Sequence, residues 1–238
     1  MKSVRVILLV LCLMQVIPEA VGVVSNPQAK SSASALDQVL ERMGSVGKTF
    51  RSFQADFTQR KYVAVLKEFE NPESGMFIYA RANDGSALIK QEFKAPGHRI
   101  LTIKGGVALV YQPSLKQAMK YNLGKNKDKA EFLALGIGQS PAKLRESFNI
   151  EYRGEEAVDG IPCSVLLLVP KSSSAAAFFS AITLWIRKSN SLSIQQKLQE
   201  PSGDYLINKF SSEKLNPKIS ESQFEQTLPK GVEIQIIR

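Results

Sequence analysis

The sequence predicts a mainly β fold with few helices, built on one large antiparallel sheet. Three observations lead there. The spacing of apolar residues changes from helical to period two at Ser52, and strand-like runs separated by turn signals then follow one another to the end of the chain. Only two segments carry helical patterning, too few to cover both faces of so many strands. The sheet must therefore curl on itself and enclose the helices or a cavity.

The first residues stand apart from that domain. Lys2 and Arg5 precede an apolar stretch from Val6 to Ile17, and the small residues Ala20-Val21-Gly22 follow, the pattern of a secretory signal peptide over residues 1–22, cleaved near residue 22. A membrane span needs about 20 consecutive apolar residues, and Gln15, Pro18 and Glu19 interrupt this stretch. Leu11 precedes Cys12 where a lipoprotein signal has a small residue. Residues 23–34 are polar and small and read as a flexible leader, which leaves 35–238 as a single domain.

Order is expected to begin with a helix. Ser34 and Asp37 form an N-terminal capping pattern, and Leu36, Val39, Leu40 and Met43 follow at i, i+3, i+4 and i+7, with an end near Gly44 or Gly47. SFQADFTQR then puts Phe53, Ala55 and Phe57 on one side of a strand. The runs GMFIYAR, HRILTIKGGVALVYQP, QAMKYNL, FNIEYRG, SVLLLVP, ITLWIRK, LSIQQKLQE, DYLINKF and GVEIQII also suit strands. Gly105-Gly106 marks a two-residue hairpin, and Ser189-Asn190-Ser191 and Pro201-Ser202-Gly203-Asp204 mark further tight turns. The second helical segment is KDKAEFLALGIGQSPAKLRESF, broken at Gly136 and Gly138 and restarted at Pro141, and residues 171–181 read as a loop inserted before a strand.

The formal charge is +9, falling to +8 once Lys2, Arg5 and Glu19 are removed with the leader. In an exported protein this balance argues against nucleic acid and leaves a solvated basic surface, anionic lipid headgroups or an acidic partner open. Cys163 is the one cysteine left after cleavage, so stability must come from packing rather than an intrachain disulfide. The sole histidine, His98, has no triad partners in view, and Ser140-Pro141-Ala142-Lys143 matches a short S-x-x-K spacing without its companion signatures, so Ser140 reads as a helix cap. No metal-ligand spacing emerges. The chain is therefore not expected to be an enzyme, and no cofactor is implied. In GMFIYAR the alternation places Arg81 on the face of Phe77 and Tyr79, either reaching water from a strand end or carrying its donors to the rim of an apolar interior.

The order of these signals resembles the LolA-like family of periplasmic outer-membrane lipoprotein carriers. The resemblance runs through the helix from Leu36 to Met43, SFQADFTQ, GMFIYAR, Ala95-Pro96, the Gly106 hairpin leading to LVYQP, FLALGIG, and the ending LNPKISESQFEQTLPKGVEI. It implies a half-open antiparallel β-barrel whose apolar concave face is capped by helices and shields the acyl chains of lipoproteins between inner and outer membrane. Arg81 would be the lid tether, bonded to backbone carbonyls near Leu40 and around Leu135 to Ile137. Candidate cavity residues are Phe53, Phe57, Phe77, Tyr79, Leu109, Tyr111, Leu184 and Ile186, and Leu36, Leu40, Phe132, Leu133, Leu135 and Ile137 would belong to the lid helices. The implied partners are lipoproteins held by their acyl chains, an inner-membrane lipoprotein-releasing ABC transporter complex and an outer-membrane receptor, with the carrier a periplasmic monomer. A carrier of another lipid, such as a glycolipid for an inner-membrane exporter, or a lipoprotein-sensing module would use the same fold. The chain departs from the family after Arg81, where Ala82-Asn83-Asp84-Gly85 stands in place of the usual proline.

Overall fold

The alternation that begins at Ser52 forms the central strand, β1 (Ser52–Val63), and the apolar positions before it form the helix α1 (Pro27–Thr49). The computed structural model describes residues 27–124 and 132–237, so the expected signal peptide and residues 23–26 of the leader lie outside the described residues. After β1 come β2 (Glu68–Phe69), β3 (Glu73–Arg81), β4 (Ala87–Ala95), β5 (Arg99–Lys104), β6 (Val107–Gln112) and β7 (Gln117–Asn122). Next are α2 (Pro141–Ser147), β8 (Phe148–Val158), β9 (Ile161–Pro170), α3 (Ser173–Ala176), β10 (Ala181–Arg187), β11 (Ser193–Gln199), β12 (Tyr205–Leu215) and β13 (Glu233–Ile237).

The strands make one 13-stranded sheet in the order β13-β7-β6-β5-β4-β3-β1-β12-β11-β10-β9-β8, with β2 added to β1. Two antiparallel meanders, β3 to β7 and β8 to β12, thus meet at β1, which pairs with β3 on one side and β12 on the other. The mainly β, curved and unclosed sheet expected from the sequence is observed. Gly105 and Gly106 both take positive φ, the conformation a two-residue hairpin turn between β5 and β6 requires.

The structure differs from the sequence reading in five places. Helix α1 starts at Pro27 and takes in residues 27–34 of the expected leader, and it continues through Gly44 and Gly47 to Thr49. Those glycines mark close approach rather than an end: a Cβ at Gly44 would lie 2.9 Å from the Pro141 ring, and one at Gly47 would lie 3.0 Å from the Gln139 carbonyl oxygen. The FLALGIG segment is a short 3-10 turn and loop over residues 132–138 rather than a helix, and only α2 realises the second helical pattern. Gly136 and Gly138 both have positive φ, which prevents a continuous helix there.

Strand β4 was absent from the sequence reading because Lys90, Gln91, Glu92 and Lys94 hide its alternation, although Ile89, Gln91 and Phe93 are buried on one face. β13 is the exception to antiparallel order and runs parallel to β7. The loop expected at 171–181 carries the short α3, capped by Ser172, whose side chain accepts from Ala175 N–H.

Each face of the sheet has its own cover. On the inner face, Val39, Leu40 and Met43 of α1 pack with Phe132, Leu135 and Leu144 against Leu166, Leu168, Ile182, Leu184, Ile186 and Leu198. Beside them Phe50, Ala134 and Ile137 pack on Phe53, Phe57, Phe77, Tyr79, Ile89 and Phe210. On the outer face the segment leading to β13 lays Phe224 on Ile78, Ala80 and Leu88.

Candidate functional site

The inner face and its cover form the candidate site. α1 presents Val39, Leu40 and Met43 because helical spacing stacks them on one stripe, and Leu36 packs at the margin of the same cluster. Residues 132–138 lie beneath and beside this helix, with Phe132, Leu135 and Ile137 buried and Leu133 partly buried. Gly138 is indispensable to this fit, since a Cβ there would come within 2.2 Å of the Phe50 ring.

Four polar contacts hold the backbone of 132–138. Arg81 Nη2 donates to the Gly138 carbonyl. Ser193 N–H donates to Gly136 O at 3.0 Å. Gln196 Nε2 donates to Leu135 O at 2.7 Å, and Gln139 Nε2 donates to Ala134 O at 2.7 Å. Gln139 also accepts from Gly136 N–H through Oε1 at 2.7 Å.

Arg81 combines both roles that spacing allowed. It is an exposed residue at the end of β3, yet its guanidinium lies 5.6 Å over the Phe50 ring and bonds Gly138, one residue past the expected acceptor stretch. Phe50 in turn stacks on Tyr79 with centroids 5.2 Å apart. The departure after Arg81 makes a tight β3–β4 turn, in which Gly85 N–H donates to Ala82 O and Ala82 N–H to Ser86 O, both at 2.9 Å.

The junction between α1 and β1 is fastened from a distance by Asn216. Its Nδ2 donates to Thr49 O at 3.0 Å, and its Oδ1 accepts from Arg51 N–H at 2.7 Å. Ser52 Oγ donates to Pro217 O at 2.6 Å.

Of the cavity residues expected from sequence, Phe53, Phe57, Phe77, Tyr79, Leu184 and Ile186 are buried on the inner face. Leu109 and Tyr111 are not: on β6 it is Ala108 that joins the inner cluster, and Leu109 and Tyr111 share the opposite face. Side chains alternate along a strand, so the expected register was one residue out. Leu109 O instead accepts from Gln226 Nε2 of the outer cover at 3.3 Å.

A cleft of about 410 Å³ opens beside the cover, lined by Phe132, Leu135, Leu144 and Phe148 and rimmed by Lys143 and Lys171. Ser140 caps α2 by accepting from Lys143 N–H at 3.2 Å, and His98 lies 3.2 Å from Glu92 at the surface. Cys163 is fully buried, and burial pushes its thiol up in pKa, which leaves little thiolate near neutral pH.

The sequence reading gave no role to Gln139, Ser193, Gln196 or Asn216, the last of which stood only as part of the terminal stretch that carries the family resemblance. A signal for Gln196 was present: it stands two residues before Leu198 at a position of apolar parity. The register shift opposite Trp185 and Ile186 obscured it, because it puts Ser193 rather than Ile194 on the inner face.

A family model described as outer membrane lipoprotein carrier protein LolA matches residues 48–227, from the end of α1 to just short of β13. The chain belongs to the LolA family. No curated protein matches it in sequence. Among solved structures, an uncharacterized conserved protein from Thermus thermophilus superposes with a TM-score of 0.52 at 14% identity, covering 85% of this chain and 99% of that one. The lipoprotein LppX of Mycobacterium tuberculosis gives a TM-score of 0.46 at 18% identity, covering 79% and 99%. The MucA/MucB complex of Pseudomonas aeruginosa gives 0.46 at 15% identity over 81% of this chain and 61% of that chain. At these identities the likeness concerns the LolA-like fold.

Proposed function

We propose that the protein is a periplasmic carrier that shields the acyl chains of lipoproteins against the inner face of its sheet during transfer from inner to outer membrane. The observation that supports this reading best is the way a LolA-family sheet has its largest apolar face covered. The cover is a helix and a loop outside the strand ladder, attached by side chains and by one main-chain bond, from Ser193 to Gly136.

Magnitudes make such a cover exchangeable. Val39, Leu40, Met43, Phe132, Leu135 and Ile137 are buried in it, and at roughly 2 kcal/mol each their burial is worth on the order of 10 kcal/mol. An acyl chain of about 16 carbons, at about 0.8 kcal/mol per buried methylene, offers a comparable amount. One chain thus matches the cover and a diacyl anchor exceeds it, so the lipid can displace the cover. Because a bilayer buries the same chains equally well, loading and release remain reversible. Apolar contact is also tolerant of chain identity, which suits a carrier of varied clients.

The signal-peptide pattern supports export, and the basic mature chain suits docking to acidic faces of an inner-membrane releasing complex and an outer-membrane receptor. In this reading the protein binds one client at a time as a monomer and performs no chemistry on it.

Native mass spectrometry of the mature protein, purified without detergent, tests the proposal. An acylated lipoprotein or lipopeptide should co-purify. An empty protein that also fails to withdraw lipoproteins from membranes would overturn the carrier reading, and a bound glycolipid would replace its client.

A further inference from the structure

Three carboxamides lie side by side on the largely apolar inner face. Gln59 of β1 is paired with Asn208 of β12, and Asn208 is paired with Gln196 of β11. Gln59 Nε2 donates to Asn208 Oδ1 at 2.7 Å, Asn208 Nδ2 to Gln196 Oε1 at 3.5 Å, and Gln196 Nε2 to the Leu135 carbonyl at 2.7 Å. Every amide points the same way, and the row ends in the Gln196 N–H aimed at the cover. Gln196 is 0% exposed and sits opposite Leu184, with Leu198 two residues along its own strand.

When the cover lifts, Leu135 takes its carbonyl away and leaves this donor in an apolar trough. A buried amide N–H without an acceptor is costly, whereas hydrocarbon has no acceptor to offer. The geometry points to a polar subsite in which Gln196 Nε2 donates to the carbonyl of an acyl ester, with the ester taking the place of the Leu135 carbonyl and the alkyl chains lying over Leu184 and Leu198. This rests on the carrier reading and narrows its ligand class: ester-linked acyl lipids are preferred to ether-linked lipids with the same chains. A diacylglyceryl lipopeptide and a phosphatidylglycerol share this chemistry.

The test is displacement of a fluorescent fatty-acid probe from the mature protein by four ligands. These are a dipalmitoyl lipopeptide, a dipalmitoyl phosphatidylglycerol and the dialkyl ether analogue of each. One hydrogen bond predicts that an ester displaces the probe at about five-fold lower concentration than its ether. The pair with the larger ratio identifies the source of the ester. Gln196→Met keeps side-chain length and should bring the ratio to one, even if loosening the cover tightens both ligands, because the ratio cancels any change in cover stability. Equal displacement by ester and ether in the unsubstituted protein overturns the subsite and leaves the carrier reading standing. A ratio that survives in Gln196→Met removes Gln196 from it. If none of the four ligands displaces the probe, the carrier reading and the subsite fail together. The unsubstituted ratio keeps the test decisive should the variant not fold.

Discussion

The two covers of the sheet are attached by different means. The outer cover, running from Asn216 to Ile237, ends in main-chain pairing of β13 with β7 and is pinned midway by Phe224 in an apolar recess. Gln226 donates to the carbonyls of Ile100 and Leu109, and Lys104 meets Glu221 and Glu225. The inner cover has a greasy underside and four polar bonds to its loop, one of them internal, supplied by Arg81, Ser193, Gln196 and Gln139. A strand ladder has to be broken bond by bond in register. A few contacts to one loop can be exchanged for contacts to something else. In the proposed carrier the outer cover thus belongs to the scaffold and the inner one is the part that moves.

Substitutions on the two sides should separate these roles, and the largest effect is expected outside. Phe224→Ala should lower unfolding stability by about 3–4 kcal/mol through the cavity it leaves, read as a shifted urea midpoint. Acyl-probe affinity per folded molecule should be unchanged. A parallel loss of probe affinity would break the distinction between the covers.

Gly138→Ala comes next. Its φ of +69° and the Phe50 ring 2.2 Å from the added carbon oppose closure, and a left-handed non-glycine residue alone costs about 1–2 kcal/mol. Faster amide exchange over 132–138 and easier probe entry are expected, with the outer strands still protected. Unchanged exchange would show that the loop can close without this glycine.

Arg81→Leu should be milder, because a guanidinium so much in water contributes about 1 kcal/mol. Export and folding should persist, probe binding should rise about five-fold, and lipoprotein handover should be impaired. Normal transfer by this variant would remove Arg81 from the mechanism. The smallest change is expected from Asp37→Asn, which breaks an exposed ion pair between α1 and Arg145 of α2. Less than about 0.5 kcal/mol should be lost, so a large effect on probe entry would show that electrostatics rather than apolar packing governs the inner cover.

What the sequence revealed follows the same division between strong and weak local signals. Phe53, Phe57, Phe77 and Tyr79 were readable because alternation over long strands fixes their parity, and Leu36, Val39, Leu40 and Met43 because helical spacing is equally strict. Leu109 and Tyr111 failed because β6 is short and apolar on both sides, so its pattern does not select a face. β4 failed because three charges and a buried glutamine broke its pattern. The polar fastenings were hidden for a further reason. Asn216 acts on Thr49 and Arg51, and Gln196 acts on Leu135, contacts made by folding between residues far apart in the chain.

Among the described residues the sheet ends at β13 on one side and β8 on the other, without a ladder joining them. A closed barrel has its radius set by strand number and stagger. A sheet with two free margins has no such fixed girth. In the proposed carrier, small changes in strand twist would let such a sheet enclose one, two or three alkyl tails with the same set of hydrogen bonds.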